Sequence, residues 1–186
     1  MSLIKQDISQ LLNLCKQDNN LAQLEVYNRY EQAMFNTSIR IVKDSAIAED
    51  IMQESFLTAF TKLDSFKGTS TFGAWLKRIV INNSISQYRQ MQRFVPLEEN
   101  TIEEGKGEEE MNFDGISIFE EQDSKVKHLL TAVSSLKGSY SQMLTLHFID
   151  GYDYNEICTI LDISNANCRT TMSRAKESLR KKMNVL

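Results

Sequence analysis

The chain has few of the residues that mark loop-rich or membrane-spanning folds. Its 186 residues include one proline and seven glycines, and these are the two residues that most disfavour helices. No apolar run approaches the roughly 20 residues that a membrane-spanning helix needs. The start, MSLIKQDISQ, lacks a charged segment followed by an apolar core, so we expect no signal peptide and no membrane insertion. The composition therefore favours an all-α fold.

Cysteine and histidine are also scarce, and neither is arranged for chemistry. Cys15, Cys158 and Cys168 have neither CxxC nor zinc-ligand spacing, so we expect small buried apolar residues in a reducing compartment. His128 and His147 stand far apart, and the chain has no HxxxH, GxSxG or phosphate-loop motif. We therefore expect no metal, no cofactor and no enzymatic activity such as that of a nuclease.

Acidic residues are missing from one long stretch and concentrated in another. The formal net charge is -4, yet residues 66–94 hold five Lys or Arg and no Asp or Glu. Residues 1–95 carry a net +2, residues 96–125 a net -9, and residues 126–186 a net +3. The middle segment also holds the only proline, Pro96, and runs of like charge repel and bury little apolar area. The pattern predicts two small helical domains, 1–95 and 126–186, joined by a flexible acidic linker.

The segment SAIAEDIMQESFLTAFTKL predicts a helix over Ser45–Leu63, with Ser45 as its N-cap. At 100° per residue, the core-facing stripe is formed by Met52, Phe56, Ala59, Phe60 and Leu63. A different face collects Asp50, Gln53, Glu54 and Leu57. This second face is either solvated, with one stray leucine, or a partner-binding surface with an apolar centre and an acidic rim.

The acid-free stretch predicts a loop, Phe66–Thr71, followed by a helix from about Thr71 or Phe72 to Arg89. The apolar face of this helix is formed by Phe72, Leu76, Ile79 and Val80. A basic stripe lies elsewhere on the wheel, formed by Arg78, Asn82, Arg89 and Arg93, with Trp75 and Ser86 at its margin. Cations neutralise phosphates and aromatic rings stack on unpaired bases. A solvated basic face is the alternative, although exposed helices normally mix charges of both signs.

The C-terminal part predicts two helices separated by a tight break, which is the helix-turn-helix pattern. The first helix spans Tyr154–Leu161, and the second begins near Asn165 and ends near Met183. The buried stripe of the second helix is formed by Cys168, Met172, Ala175, Leu179 and Met183. Its opposite face is formed by Asn167, Thr170, Thr171, Arg174 and Lys181. Such a helix can enter a DNA major groove by its N-terminus, although an ordinary hairpin in a helical bundle shows a similar pattern.

Three segments together resemble the extracytoplasmic-function (ECF) sigma factors of bacterial RNA polymerase. They are AEDIMQESFLTAF, FKGTSTFGAWLKRIVINN and GYDYNEICTILDISNANCRTTMSRAKESLRKK. Members of this family are small sigma subunits that keep only the second and fourth conserved sigma regions. The resemblance implies a cytoplasmic transcription initiation factor that binds core polymerase and promoter DNA and catalyses nothing itself. A stand-alone helix-turn-helix regulator is the alternative, but it would leave the faces of the first domain unexplained.

The resemblance also implies roles for individual residues of the first domain. Docking on the clamp helices of the polymerase beta-prime subunit is implied for Asp50, Gln53, Glu54 and Leu57. Recognition and opening of the minus-ten promoter element is implied for Phe66, Lys67, Thr69, Ser70, Trp75, Arg78, Asn82, Asn83 and Arg89.

The second domain is implied to read the minus-thirty-five element as duplex and to pack near the polymerase beta flap. The residues implied in this reading are Asn165, Asn167, Arg169, Thr170, Thr171, Arg174 and Lys181. The linker resembles the family's connector toward the RNA exit path, and the family implies an anti-sigma partner. The chain departs from the family pattern at Ser86, Gln87, Asp162 and Thr171, so no promoter preference can be transferred.

Overall fold

The computed structural model describes residues 3–94 and 124–185, and within those ranges the chain is all helical, which confirms the expected fold class. Contacts divide the chain into two compact units, Met1–Tyr88 and Arg89–Leu186. The predicted acidic linker, 96–125, lies outside the described residues except for its last two positions. The domain limits inferred from charge therefore stay a prediction.

The first unit is built from four helices, the last of which crosses the boundary between the units. They are α1 (Ile8–Cys15), α2 (Asn20–Val42), α3 (Ser45–Thr61) and α4 (Phe72–Phe94), with short 3-10 turns at Leu3–Lys5 and Leu63–Ser65.

Aspartate and asparagine side chains cap the starts of the first three helices. Asp7 caps α1, Asn19 caps α2 and Asp44 caps α3. The Asp44 carboxylate accepts the backbone N–H of Ile47 at 2.9 Å. The expected cap of α3, Ser45, is instead its first helical residue, because the Asp44 side chain one position earlier already accepts an unpaired N–H of the first turn.

The core of the first unit forms where the apolar stripes of these helices meet. Members with almost no exposure include Leu11, Val26, Phe56, Leu76 and Val80. Each fully buried side chain of this size stabilises the fold by about 1.5–3 kcal/mol relative to an exposed one. The predicted stripe of α3 is confirmed, because Met52, Phe56, Ala59 and Leu63 are buried and Phe60 packs against them.

Two hydrogen bonds between side chains fix α4 against its neighbours. The buried hydroxyls of Ser38 on α2 and Ser84 on α4 lie 3.0 Å apart. The amide of Asn83 donates to the Ser55 hydroxyl on α3 at 3.0 Å, and Ser55 donates to the carbonyl of Ile51 at 2.6 Å. Leaving a buried hydroxyl unpaired costs about 1–3 kcal/mol, so a slip of α4 along α2 or α3 would be penalised.

The second unit contains the helix-turn-helix. Its helices are α5 (Ser124–Ser134), α6 (Gly138–Leu144), α7 (Tyr154–Leu161) and α8 (Asn165–Val185), with a π-helical turn at Thr145–Ile149. The bounds of α7 are those expected, and α8 continues two residues beyond the expected end.

Local side-chain bonds set the start of α7 and the break before α8. Asp153 and Glu156 form a capping box at the start of α7. The break is set by Asp162, which adopts the left-handed conformation with φ 49°. The N–H of Asp162 closes the end of α7 on the carbonyl of Cys158. Two helices joined by a three-residue break are thereby held as one motif.

Candidate functional sites

The face of α3 opposite its core stripe is open to solvent. Asp50, Gln53, Glu54 and Leu57 are all exposed, and Leu57 keeps 69% of its surface accessible. The other side of the same helix buries Phe56 and Ala59. The structure therefore brings the four residues together as one surface with an apolar centre and acidic members, and this surface is here called the α3 face.

The loop before α4 is held at its base by a cluster of aromatic rings. The ring centroid of Phe66 lies 5.8 Å from that of Phe72 and 5.4 Å from that of Trp75, and Tyr30 lies 5.5 Å from Phe72. Phe66 and Trp75 are thus half-buried against the core and leave only part of each ring for an outside contact. Such clusters of offset and edge-on rings are favourable and give the loop a fixed anchor.

The rest of the loop projects into solvent. Lys67, Thr69 and Ser70 are exposed. Gly68 adopts φ +71°, a left-handed conformation that costs about 1–2 kcal/mol for other L-residues. The chain thus turns at Gly68 and presents hydroxyl groups and one cation between the aromatic anchor and the start of α4.

Neighbouring residues of α4 face different surroundings. Arg78, Asn82 and Arg89 are exposed, as expected for the basic stripe. Asn83 is half-buried, and its amide is engaged by Ser55. The structure therefore places Asn82, but not Asn83, on the open part of the stripe.

The start of α4 packs closely on α2. A Cβ on Gly73 would lie 2.9 Å from the Tyr30 ring, so a side chain at position 73 would displace that ring. The hydroxyl of Thr71 accepts the N–H of Ala74 at 3.2 Å, which caps the helix. This close approach fixes where the basic stripe begins.

The exposed side of α8 carries the predicted duplex-reading residues. Exposed members are Asn165, Asn167, Arg169, Thr170, Arg174 and Lys181, and Thr171 is half-buried. On the opposite side Cys168, Met172 and Ala175 are buried, whereas Leu179 and Met183 are only partly covered. The predicted orientation of the helix is thus confirmed over its first three turns.

Several polar groups on this side of α8 are already engaged within the helix. The hydroxyl of Thr170 donates to the carbonyl of Ala166 at 2.9 Å. The hydroxyl of Thr171 donates to the side-chain oxygen of Asn167 at 3.0 Å. A duplex contact by either hydroxyl therefore has to compete with a bond inside the helix, whereas the exposed guanidinium of Arg174 has no such bond in the described residues.

One exposed aromatic side chain was not anticipated from the sequence. Phe148 lies on the π-helical turn with 62% of its surface accessible, and the Lys176 ammonium lies 5.3 Å from its ring centroid. In sequence, the run LTLHFI is indistinguishable from an ordinary buried segment. The turn redirects Phe148 outward while Leu146 stays fully buried.

Two family models match the chain in the order of its helices. Residues 26–94 match Sigma-70 region 2, and residues 127–179 match Sigma-70 region 4. The ECF RNA polymerase sigma-E factor of Salmonella typhimurium is 30% identical over 165 residues, covering 85% of this chain and 84% of the relative. SigM of Bacillus subtilis is 26% identical over 163 residues, covering 84% and 91%. An all-helical chain with a helix-turn-helix unit and these matches belongs to the ECF sigma factor family of RNA polymerase.

Solved structures show the same fold. The sigma factor RpoE of Bartonella quintana, solved with the anti-sigma factor NepR, superposes with a TM-score of 0.56 at 21% identity, covering 87% of this chain and 96% of that one. CnrH, solved with the cytosolic domain of CnrY, superposes with a TM-score of 0.53 at 18% identity, covering 94% and 96%.

The described residues show neither a membrane span nor a metal-binding cluster. No helix within 3–94 or 124–185 is long and apolar enough to cross a bilayer. Over the same ranges, no three His, Cys, Asp or Glu side chains are grouped so that they could hold a metal ion.

Proposed function

We propose that this sigma factor works through three separate faces. The α3 face docks on the clamp helices of core polymerase, the α4 stripe with the loop at 66–71 opens the minus-ten element, and α8 reads the minus-thirty-five element. The observation that supports this division is that each helix buries one side and leaves a chemically different side exposed. One face is acidic and apolar, one is basic, and one is polar.

The α3 face has the composition of a protein-binding surface. Covering the exposed side chain of Leu57 gains roughly 25 cal/mol for each Å² of apolar surface removed from water. Around it, Asp50 and Glu54 bring negative charge to an edge that stays hydrated, where charged groups steer association and select partners. A basic and apolar partner surface, such as a pair of polymerase helices, fits this pattern.

The basic stripe of α4 has the composition of a single-strand binding surface. Arg78 and Arg89 can neutralise phosphates, and the exposed amide of Asn82 can hydrogen-bond the edge of an unstacked base. The loop at Phe66–Thr71, anchored by its aromatic cluster, lies directly before the helix that carries them. An acid-free surface of this kind avoids like-charge repulsion with the DNA backbone.

The α8 face fits a duplex groove. An α-helix enters the major groove by its N-terminal residues, and here those residues are Asn165, Asn167 and Arg169. Further along, Arg174 provides a planar donor of the kind that binds guanine edges in two places. The unit would at the same time lie near the polymerase beta flap, and the linker would run toward the RNA exit path.

An anti-sigma factor is a further proposed partner. The two solved relatives were each determined with a bound second protein, NepR for RpoE and the cytosolic domain of CnrY for CnrH. A sigma factor whose polymerase-binding face is open in isolation would be available to such a regulator. We propose the same kind of partner for this chain.

Reconstitution with core polymerase tests the proposal as a whole. We expect the full-length protein to co-purify with core RNA polymerase and to direct run-off transcription from promoters that core polymerase alone ignores. Without polymerase, we expect no stable and specific band shift on duplex promoter DNA. A specific shift by the protein alone, with no gain in transcription when polymerase is added, would instead identify a stand-alone regulator.

Substitution of Arg174 tests the duplex-reading face. Arg174→Ala should relax preference at one or two bases of the upstream element, because a good base contact contributes roughly 1–3 kcal/mol of discrimination. Arg180→Ala is the matched control, since it removes the same charge from an exposed position on the same helix and should weaken binding evenly across sequences. Selection from a randomised upstream element reads out both variants, and an unchanged base preference in Arg174→Ala would contradict the assignment.

A further inference from the structure

Two cysteines lie where α7 packs against α8. The thiol of Cys158 on α7 donates to the side-chain oxygen of Asn165 on α8 at 3.3 Å. The thiol of Cys168, three residues further along α8, lies 3.8 Å from the carbonyl oxygen of Tyr154, which is one turn before Cys158 on α7. Residues three or four apart share one face of a helix. Each sulfur therefore lies against the other cysteine's helix, next to the position that carries the other thiol.

The two thiols differ in access. Cys158 is half-buried, whereas Cys168 is fully buried. Burial, and by a smaller amount the neighbouring Cys158 thiol, raise the pKa of the Cys168 thiol to about 11. The third cysteine, Cys15, is buried in the first unit and provides an internal comparison.

We propose that Cys158 and Cys168 are an oxidation site, at which hydrogen peroxide converts the two thiols to a disulfide across the helix-turn-helix. The more accessible Cys158 sulfur attacks one peroxide oxygen, the O–O bond breaks, and the departing oxygen leaves as water with the thiol proton. The Cys168 sulfur then attacks the resulting sulfenic acid, forming the S–S bond and breaking the S–O bond, and the second water leaves with the Cys168 proton. The peroxide gains two electrons, one from each sulfur.

Oxidation would alter the end of α8 that enters the groove. The disulfide removes the S–H group that donates to Asn165, and Asn165 is the first residue of α8. It also holds the Cα atoms of Cys158 and Cys168 at the spacing of a disulfide, about 5.5 Å. This consequence for DNA reading rests on the proposed function, whereas the oxidation itself does not. Transient disulfides of this kind are the sort that reducing compartments use for sensing.

Peptide mass spectrometry after peroxide treatment of the full-length protein tests the chemistry. The reduced full-length protein is exposed to hydrogen peroxide, unfolded, alkylated and digested with trypsin. Cys158 and Cys168 fall on one peptide, Gly138–Arg169, because no Lys or Arg lies between them. We expect this peptide to carry no alkyl groups and to be lighter by two hydrogens than the same peptide with two free thiols. Treatment with dithiothreitol before alkylation should restore the alkylation of both cysteines. The peptide that carries Cys15 should stay alkylated throughout.

Two variants make the result specific. Cys158→Ala should leave Cys168 fully alkylated, and the control Cys15→Ala should still form the cross-link, with circular dichroism showing that both variants fold. Recovery of Cys158 as sulfinic acid beside a free Cys168, or alkylation of both cysteines at a peroxide dose that oxidises free thiol, would overturn the proposal.

Reconstituted transcription tests the consequence for DNA. Losing one base contact lowers specific binding by roughly tenfold, so transcription from an upstream-element-dependent promoter should fall by about that factor after oxidation. It should recover with dithiothreitol and be insensitive to peroxide in Cys158→Ala. If the disulfide forms but transcription is unchanged, oxidation does not affect DNA reading by α8, and this part of the proposal is wrong. If the reduced protein failed with core polymerase, the proposed function would be wrong while the mass result would stand.

Discussion

Leu57→Arg should abolish co-purification of this sigma factor with core RNA polymerase and leave its helical content unchanged. The side chain is 69% exposed, so its replacement removes few core contacts and should change the free energy of unfolding by less than about 0.5 kcal/mol. At the centre of a desolvated interface, by contrast, an unpaired guanidinium costs several kcal/mol. Affinity capture on tagged core polymerase measures the loss of binding, and circular dichroism measures the helical content.

Leu21→Arg is the matched control for this experiment. Leu21 lies on α2 of the same unit with 67% of its surface exposed, so the same chemical change is made away from the α3 face. Glu54→Arg should abolish capture by core polymerase as Leu57→Arg does, because it reverses the charge at the rim of the α3 face. Normal capture of both α3 variants, or equal loss in Leu21→Arg, would contradict the assignment of the α3 face.

Much of the fold could be predicted from the spacing of apolar residues. The bounds of α7 and the buried side of α3 follow directly, because an apolar residue every three or four positions forces that side of a helix inward. The start of α8 follows from the break at Asp162, where the chain leaves helical geometry. The same spacing separated Leu57 from the core, since its angle on the wheel differs from that of Phe56.

Contacts between distant parts of the chain could not be predicted in the same way. A helical wheel shows which residues share a face, but it does not show what that face meets. Asn83 meets Ser55 across 28 positions of sequence. The wheel places Asn82 and not Asn83 on the basic stripe, but it does not show that Asn83 meets a serine of α3. The same limit applies to Phe148, whose exposure depends on the π-helical turn, and to Cys158, whose neighbour Cys168 belongs to another helix.

The pair Asn82 and Asn83 therefore provides the sharpest test of whether the basic stripe of α4 binds opened DNA. Asn82→Ala should impair promoter opening, because the exposed amide is free to bind a base that has left the stack. A lost base contact costs about 1–3 kcal/mol, so opening should fall by roughly tenfold. Permanganate reactivity of thymines in the minus-ten region measures opening on duplex DNA. On the same promoter pre-melted by mismatches, reactivity and transcription should recover at least in part, since the cost of unpairing has been removed.

Asn83→Ala is the comparison that separates DNA contact from folding. It removes the amide that donates to Ser55, so it should lower the free energy of unfolding by about 1 kcal/mol, measured by urea titration. Because this side chain is directed toward α3, its loss should reduce opening less than that of Asn82 and should not be rescued by the mismatched bubble. If Asn82→Ala left permanganate reactivity on the duplex unchanged, the basic stripe of α4 would be a solvated face. If Asn83→Ala alone blocked opening and the bubble rescued it, the base contact would belong to the residue that Ser55 holds in the free protein.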